Sequence, residues 1–148
     1  MKKRLNFVSN SSSSSFIVIK KGKEDKIKKH NRKKLIVPCI YGDLAFGWDE
    51  HIYYDFYTKL NFCVFQCLYV WNEQGKKWFE MLKKVIQDKL KLELELEKSE
   101  NVYDYYGYID HQSSSQEGRN IKMFNNKKNL ETFLFSSSSY LKTGNDNG

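Results

Sequence analysis

Proline, cysteine and long apolar runs are scarce in this chain, and each scarcity narrows its class. Pro38 is the only proline among 148 residues, and it stops a strand expected over Leu35-Ile36-Val37. The three cysteines, Cys39, Cys63 and Cys67, are an odd number without framework spacing. They exclude a disulfide scaffold and make a reducing cytoplasm the simplest compartment. No apolar run approaches the roughly 20 residues that cross a bilayer, so no membrane partner is expected. The start, Met1-Lys2-Lys3-Arg4-Leu5, is basic, but serine stands where the apolar stretch of a signal peptide would lie. There is no Gly-x-x-x-x-Gly-Lys phosphate loop, no RNP-type signature and no pair of histidine motifs.

Cys63 and Cys67 lie four apart and would share a helix face. With Cys39 or a histidine they could in principle hold zinc. Structural zinc draws on paired motifs that this sequence lacks, and buried cysteine is a small apolar side chain. Core packing is the expected use; neither metal nor cofactor is expected.

Apolar residues make up 40% of the chain and are rich in Tyr, Phe and Trp, too much core material for a disordered chain. One domain over residues 1–148 is expected, long enough to bury a core without a staple. The net charge of +7 is concentrated. Lys20 to Lys34 holds nine basic and two acidic residues, while the rest of the chain holds sixteen of each sign. A charged loop over about 20–34 is expected, with some helix. It is either a solvated lysine run or a contact for nucleic acid or another anion.

Serine is abundant instead, in three runs: Ser9 to Ser15 interrupted by Asn10, Ser113 to Ser115, and Ser136 to Ser139. The first and last abut Phe16-Ile17-Val18-Ile19 and Phe133-Leu134-Phe135. Few residues lie outside them, so the linker reading is weak. Successive N–H groups in a turn form an anion-binding nest, and hydroxyls add adaptable donors. A polar turn without function remains the alternative.

Short strands are expected at Leu5–Val8, Phe16–Lys20 and Leu35–Val37, with Tyr41–Asp55 irregular and aromatic. Thr58–Trp71 has mixed signals; the stripe Leu60, Cys63, Val64, Cys67, Leu68, Trp71 and the segment's length favour a buried helix. Trp78, Met81, Leu82, Val85 and Ile86 form the face of a helix over Lys76–Lys89, set off by Gly75. Leucine alternates with lysine or glutamate from Leu90 to Glu97, the period of a half-exposed strand. Tyr103–Ile109 and Ile121–Phe124 are strand candidates. Asn129 is a candidate cap for a helix over Leu130–Phe135, and Thr143–Gly148 has turn residues. The expected fold is α+β, a mainly antiparallel sheet packed on two central helices.

Asp110-His111-Gln112-Ser113 is the best catalytic candidate, since a histidine beside a carboxylate can work as acid or base near neutral pH. Adjacent residues on an extended chain point to opposite faces, so Asp110 need not orient His111. A hydrogen-bonding histidine is the competing reading. Tyr53, Tyr54, Tyr57 and the Tyr103–Tyr108 group could stack on bases, but core and half-buried strand positions fit them too.

Phe7-Val8-Ser9-Asn10-Ser11-Ser12-Ser13-Ser14-Ser15-Phe16-Ile17-Val18 resembles the opening of a group of small bacteriophage and mobile-element proteins. Ser139 to Asn147, Phe46-Gly47-Trp48, Lys59-Leu60-Asn61-Phe62 and Tyr108-Ile109-Asp110-His111-Gln112-Ser113 resemble theirs too. The resemblance implies an accessory phage-type protein in a host cytoplasm, interfering with host processes or defence. It supplies no catalytic residue.

Three functions follow as expectations. The first is non-catalytic binding of a phosphate-bearing ligand, a nucleotide or nucleotide signal. Ser11, Ser12, Ser13, Ser14 and Ser15 would donate to phosphate, with Lys59, His111, Ser113, Ser139, Asn145 and Asp146 completing the site. The second is a small hydrolase or nucleotide-cleaving enzyme using His111 with Asp110 or Asp146. The third is a protein that blocks a host enzyme or nucleic-acid complex through Lys20–Lys34. The first reading requires the first and last serine runs to meet.

Overall fold

A computed structural model of the chain describes residues 13–27, 32–38, 45–46, 50–69, 72–97, 108–109 and 122–145. The elements in order are β1 (Ser13–Val18), β2 (Lys34–Val37), β3 (Ala45–Phe46), β4 (His51–Tyr53), α1 (Phe56–Tyr69), α2 (Glu73–Leu90), β5 (Glu93–Leu96), β6 (Tyr108–Ile109), α3 (Lys127–Phe135) and β7 (Tyr140–Asn145). The class is α+β, with small antiparallel and parallel sheets.

α1 forms where the length and stripe of the sequence place it. Asp55 accepts hydrogen bonds from the Thr58 amide at 2.9 Å and the Thr58 hydroxyl at 2.7 Å, satisfying an orphan donor of the first turn. From Phe62 to Cys67 every side chain is buried, as the all-round apolar pattern requires. α2 is amphipathic: Trp78, Leu82, Val85, Ile86 and Leu90 point inward. Asn72 caps it by accepting from the Gln74 and Gly75 amides, and Lys91, left-handed at φ 59, ends it. The chain reverses there, so the leucine alternation continues from the helix end, at Leu90, into β5, with Leu92 and Leu94 buried. β5 pairs in parallel with β2, opposing Lys34 to Glu93 and Val37 to Leu96.

A 3-10 turn at Lys122–Phe124 buries Met123 and Phe124, and Phe124 stacks on Trp78 at 4.9 Å with the rings 6° from parallel. Asn126 then caps α3 through the Asn129 amide. After the turn Ser136–Ser139, β7 runs up the middle of a three-stranded antiparallel sheet in the order β1-β7-β4. Ile17 and Leu141 face the core from this sheet. They join Leu60, Phe62, Leu82, Ile86, Leu130 and Phe133 in one hydrophobic cluster.

Several expectations are corrected. The expected single, mainly antiparallel sheet is divided into one antiparallel and two parallel sheets among the described residues. The third described helix, α3, covers the short helix expected over Leu130–Phe135 and begins three residues earlier, at Lys127. β1 begins at Ser13, so the end of the first serine run is strand: backbone pairing with β7 does not need apolar side chains. The 143–145 segment is strand for the same reason, not turn. The irregular Tyr41–Asp55 stretch contains β3 and β4. Gly75 lies inside α2 and is buried. Lys122–Phe124 is helical, not extended, and the α3 cap is Asn126, three residues before Asn129. Residues 20–27 hold no helix. Leu5–Val8 and residues 103–107 lie outside the described residues.

Candidate functional site

The basic segment after β1 is a strap across the end of α3. The Asp25 amide donates to the Phe135 carbonyl at 2.8 Å and the Ser137 amide to the Lys23 carbonyl at 2.8 Å. Glu24 and Ser136 form an isolated antiparallel bridge. A helix end leaves carbonyls without intrahelical partners, and the strap supplies one donor. Gly22 makes the approach possible. A β-carbon there would lie 2.1 Å from Ser138 Oγ and 2.7 Å from Ser138 Cβ.

Two hydroxyls of the last serine run, those of Ser136 and Ser139, are spent within this joint. Ser139 Oγ accepts from the Lys20 amide at 2.9 Å and donates toward the Thr132 carbonyl at 2.8 Å. Ser136 Oγ donates to the Lys20 carbonyl at 2.6 Å and accepts from the Ser138 amide at 3.2 Å. Ser136 and Ser139 are buried. Their pairing is structural, which answers the demand that buried polar groups be bonded.

Lys59 enters the same joint from α1 and is completely buried. Its Nζ donates to the Ser136 carbonyl at 3.0 Å and the Ser139 carbonyl at 3.1 Å, and it lies 5.8 Å from the centre of the Phe133 ring. Burial pulls its pKa down to about 8, against the opposing fields of Asp25, Cys63 and Asp55. The negative end of the α3 dipole is a suitable place for a cation, as is the aromatic face. A neutral amine would still carry the two N–H donors these carbonyls use.

Between the strap and α3 runs a groove of about 550 Å³, lined by Lys21, Gly22 and Glu24 on one side. Lys127, Lys128, Glu131, Thr132, Phe135 and Ser136 line the other. Two of its charges are already paired. Lys89 holds Glu24 at 2.6 Å while lying 5.3 Å from the centre of the Phe135 ring. Lys127 is bonded to Asp88, which holds the Asp88 carboxyl below and the Lys127 ammonium above their ordinary ranges. Lys21 and Lys128 make no ion pair among the described residues, and both are exposed. Such a volume suits a small molecule, and two unpaired cations against one unpaired carboxylate, Glu131, leave a balance that favours an anionic one.

The expected site residues divide into separate groups. Lys59 and Ser139 meet directly. Ser13, Ser14 and Ser15 pair with Asn145, Gly144 and Thr143 at the other end of β1 and β7. Ser15 is about 17 Å from Lys20 at strand rise, so Ser13–Ser15, the described part of the first run, lie at the opposite end of the strand pair from the last run. His51 pairs with Thr143 in the same row as Ser15, a histidine that sequence reasoning passed over. Ser11, Ser12, Asp110, His111, Ser113 and Asp146 lie outside the described residues. Lys21, Lys128, Glu131 and Thr132 were also missed; only the charge run hinted at Lys21.

Cys63 and Cys67 are buried, and burial pushes both thiols up, disfavouring thiolate chemistry. Among the described residues no three His, Cys, Asp or Glu gather as metal ligands, and no helix is long and apolar enough to cross a membrane. Gln66, buried in α1, has no hydrogen-bond partner for its side-chain amide among the described residues. Comparison with protein-family models, curated proteins and solved structures finds no match to this chain.

Proposed function

We propose that the protein is a non-catalytic binding protein, an accessory protein of the phage type, that holds a phosphate-bearing small molecule in the groove between the strap and α3. The observation that carries this reading is the placement of unpaired Lys21 and Lys128 on the two sides of one groove. Each would lie against phosphate oxygens as a point charge. Thr132 offers a hydroxyl donor, and Glu131 offers an acceptor suited to a sugar hydroxyl. A nucleotide combines these features. Ser136 and Ser139 serve as the frame of this site, because their hydroxyls are used in holding the strap.

Thermal-shift measurement with ADP, cyclic dinucleotides and inorganic pyrophosphate tests the proposal. At least one should stabilise the wild type, and replacing both Lys21 and Lys128 by alanine should remove that stabilisation without unfolding the protein. An unaltered melting temperature with all three probes would count against it.

A further inference from the structure

The groove has a buried cation behind its Ser136 end. Ser136 lines the groove, and the carbonyl of the same residue accepts from Lys59 Nζ at 3.0 Å on its hidden side. Lys59 makes no contact with the groove itself and is completely buried. A charge in that position acts through protein rather than water, where Coulomb interactions are screened far less.

We infer that Lys59 is a positioning and electrostatic residue of the groove, whose protonation strengthens anion binding and is in turn strengthened by it. This rests on the groove reading proposed above. Among the described residues, few groups face Lys59. The strap contributes Asp25, the turn before α1 contributes Asp55, and Cys63 follows one turn along the same helix. α3 presents the Phe133 ring. The serine turn contributes only carbonyls. The two carboxylates and the helix end favour the ammonium; burial opposes it. With its pKa drawn down to about 8, Lys59 is mostly charged at pH 7 and mostly neutral at pH 9.5. Both forms keep the two bonds that shape the serine turn, so the change is one of charge rather than shape. Lys21 and Lys128, by contrast, are exposed to solvent. Linkage makes the effect reciprocal: an anion in the groove raises the proton affinity of Lys59.

Calorimetric titration of ADP into the full chain between pH 7 and 9.5 tests this, because the phosphates of ADP are already ionised there. Wild-type affinity should fall roughly fivefold to tenfold with a midpoint near pH 8. At pH 8, binding should take up a fraction of a proton, read from heats in two buffers of different ionisation enthalpy. Lys59→Arg, which cannot discharge in this range, should bind with flat pH dependence and no proton uptake. Lys59→Met should also be flat, at the weaker level. A wild-type affinity independent of pH, or an unchanged decline in either variant, would overturn the role of Lys59 while leaving the groove intact. Absence of ADP binding at every pH would overturn both.

Discussion

Replacing Gly22 by alanine probes the joint on which the groove depends. Gly22 does not occupy the left-handed region, so alanine meets no backbone penalty there. On an open surface that change would stabilise the fold by about 0.4–1 kcal/mol, by restricting the unfolded chain. Here the added methyl would stand 2.1 Å from Ser138 Oγ, 2.7 Å from Ser138 Cβ and 3.2 Å from Ser136 Oγ. Rotation of Ser138 removes only the first clash. The turn itself is held by Lys59 and by the hydroxyls of Ser136 and Ser139, so it cannot retreat cheaply. Overpacking of this kind costs about 1–3 kcal/mol, which exceeds the entropic gain. A net loss of about 1–2 kcal/mol corresponds to a fall in Tm of roughly 2–8 °C for a chain of this size. Urea unfolding followed by tryptophan fluorescence measures it. Ser138→Gly removes both close atoms, so the Gly22→Ala/Ser138→Gly double variant should lose less than the sum of the single changes. Gly22→Ala stability equal to wild type, or strict additivity of the pair, would refute the close packing of strap on turn.

Other perturbations follow from the same structure. The stability difference between wild type and Lys59→Met should shift in favour of wild type as pH rises from about 8 to 10.5. In that interval the unfolded lysine keeps its proton and the folded one has lost it, so raising pH favours the fold by at most about 3 kcal/mol. Urea titrations of both proteins at several pH values isolate this term, because the buried thiols act alike in each. Asn72→Ala should cost about 1 kcal/mol by removing the α2 cap, and calorimetry should register it. Trp78→Ala should cost about 3–5 kcal/mol, since it opens a cavity against Phe124 and removes their stacking.

The helices were legible because their patterns are long. The stripe from Leu60 to Leu68 and the face from Trp78 to Ile86 each span several turns, and both face the core, with Leu68 and Met81 half-buried at their edges. The leucine alternation was legible in period, but its parallel partner β2 was not, since pairing direction is a property of distant segments. Ser13–Ser15 and Thr143–Asn145 misled because their side chains favour turns, while the strand is specified by the backbone of its partner. Lys59 was read as a direct ligand contact; its complete burial on backbone carbonyls was not legible, because the joint that buries it combines α1, the end of α3 and a strap 77 to 119 residues apart in pairwise bonds. No pattern in the sequence singles out Lys128 and Glu131; they gain a facing wall only from the strap.

The central claim is that a phosphate-bearing ligand occupies the groove between strap and α3. Amide chemical-shift mapping during an ADP titration tests it most directly. The account predicts saturable shifts confined to residues 21–24 and 127–136. Saturable shifts centred instead on the other end of β1 and β7, around Ser13 to Ser15 and Thr143 to Asn145, or no shifts at all, would contradict it.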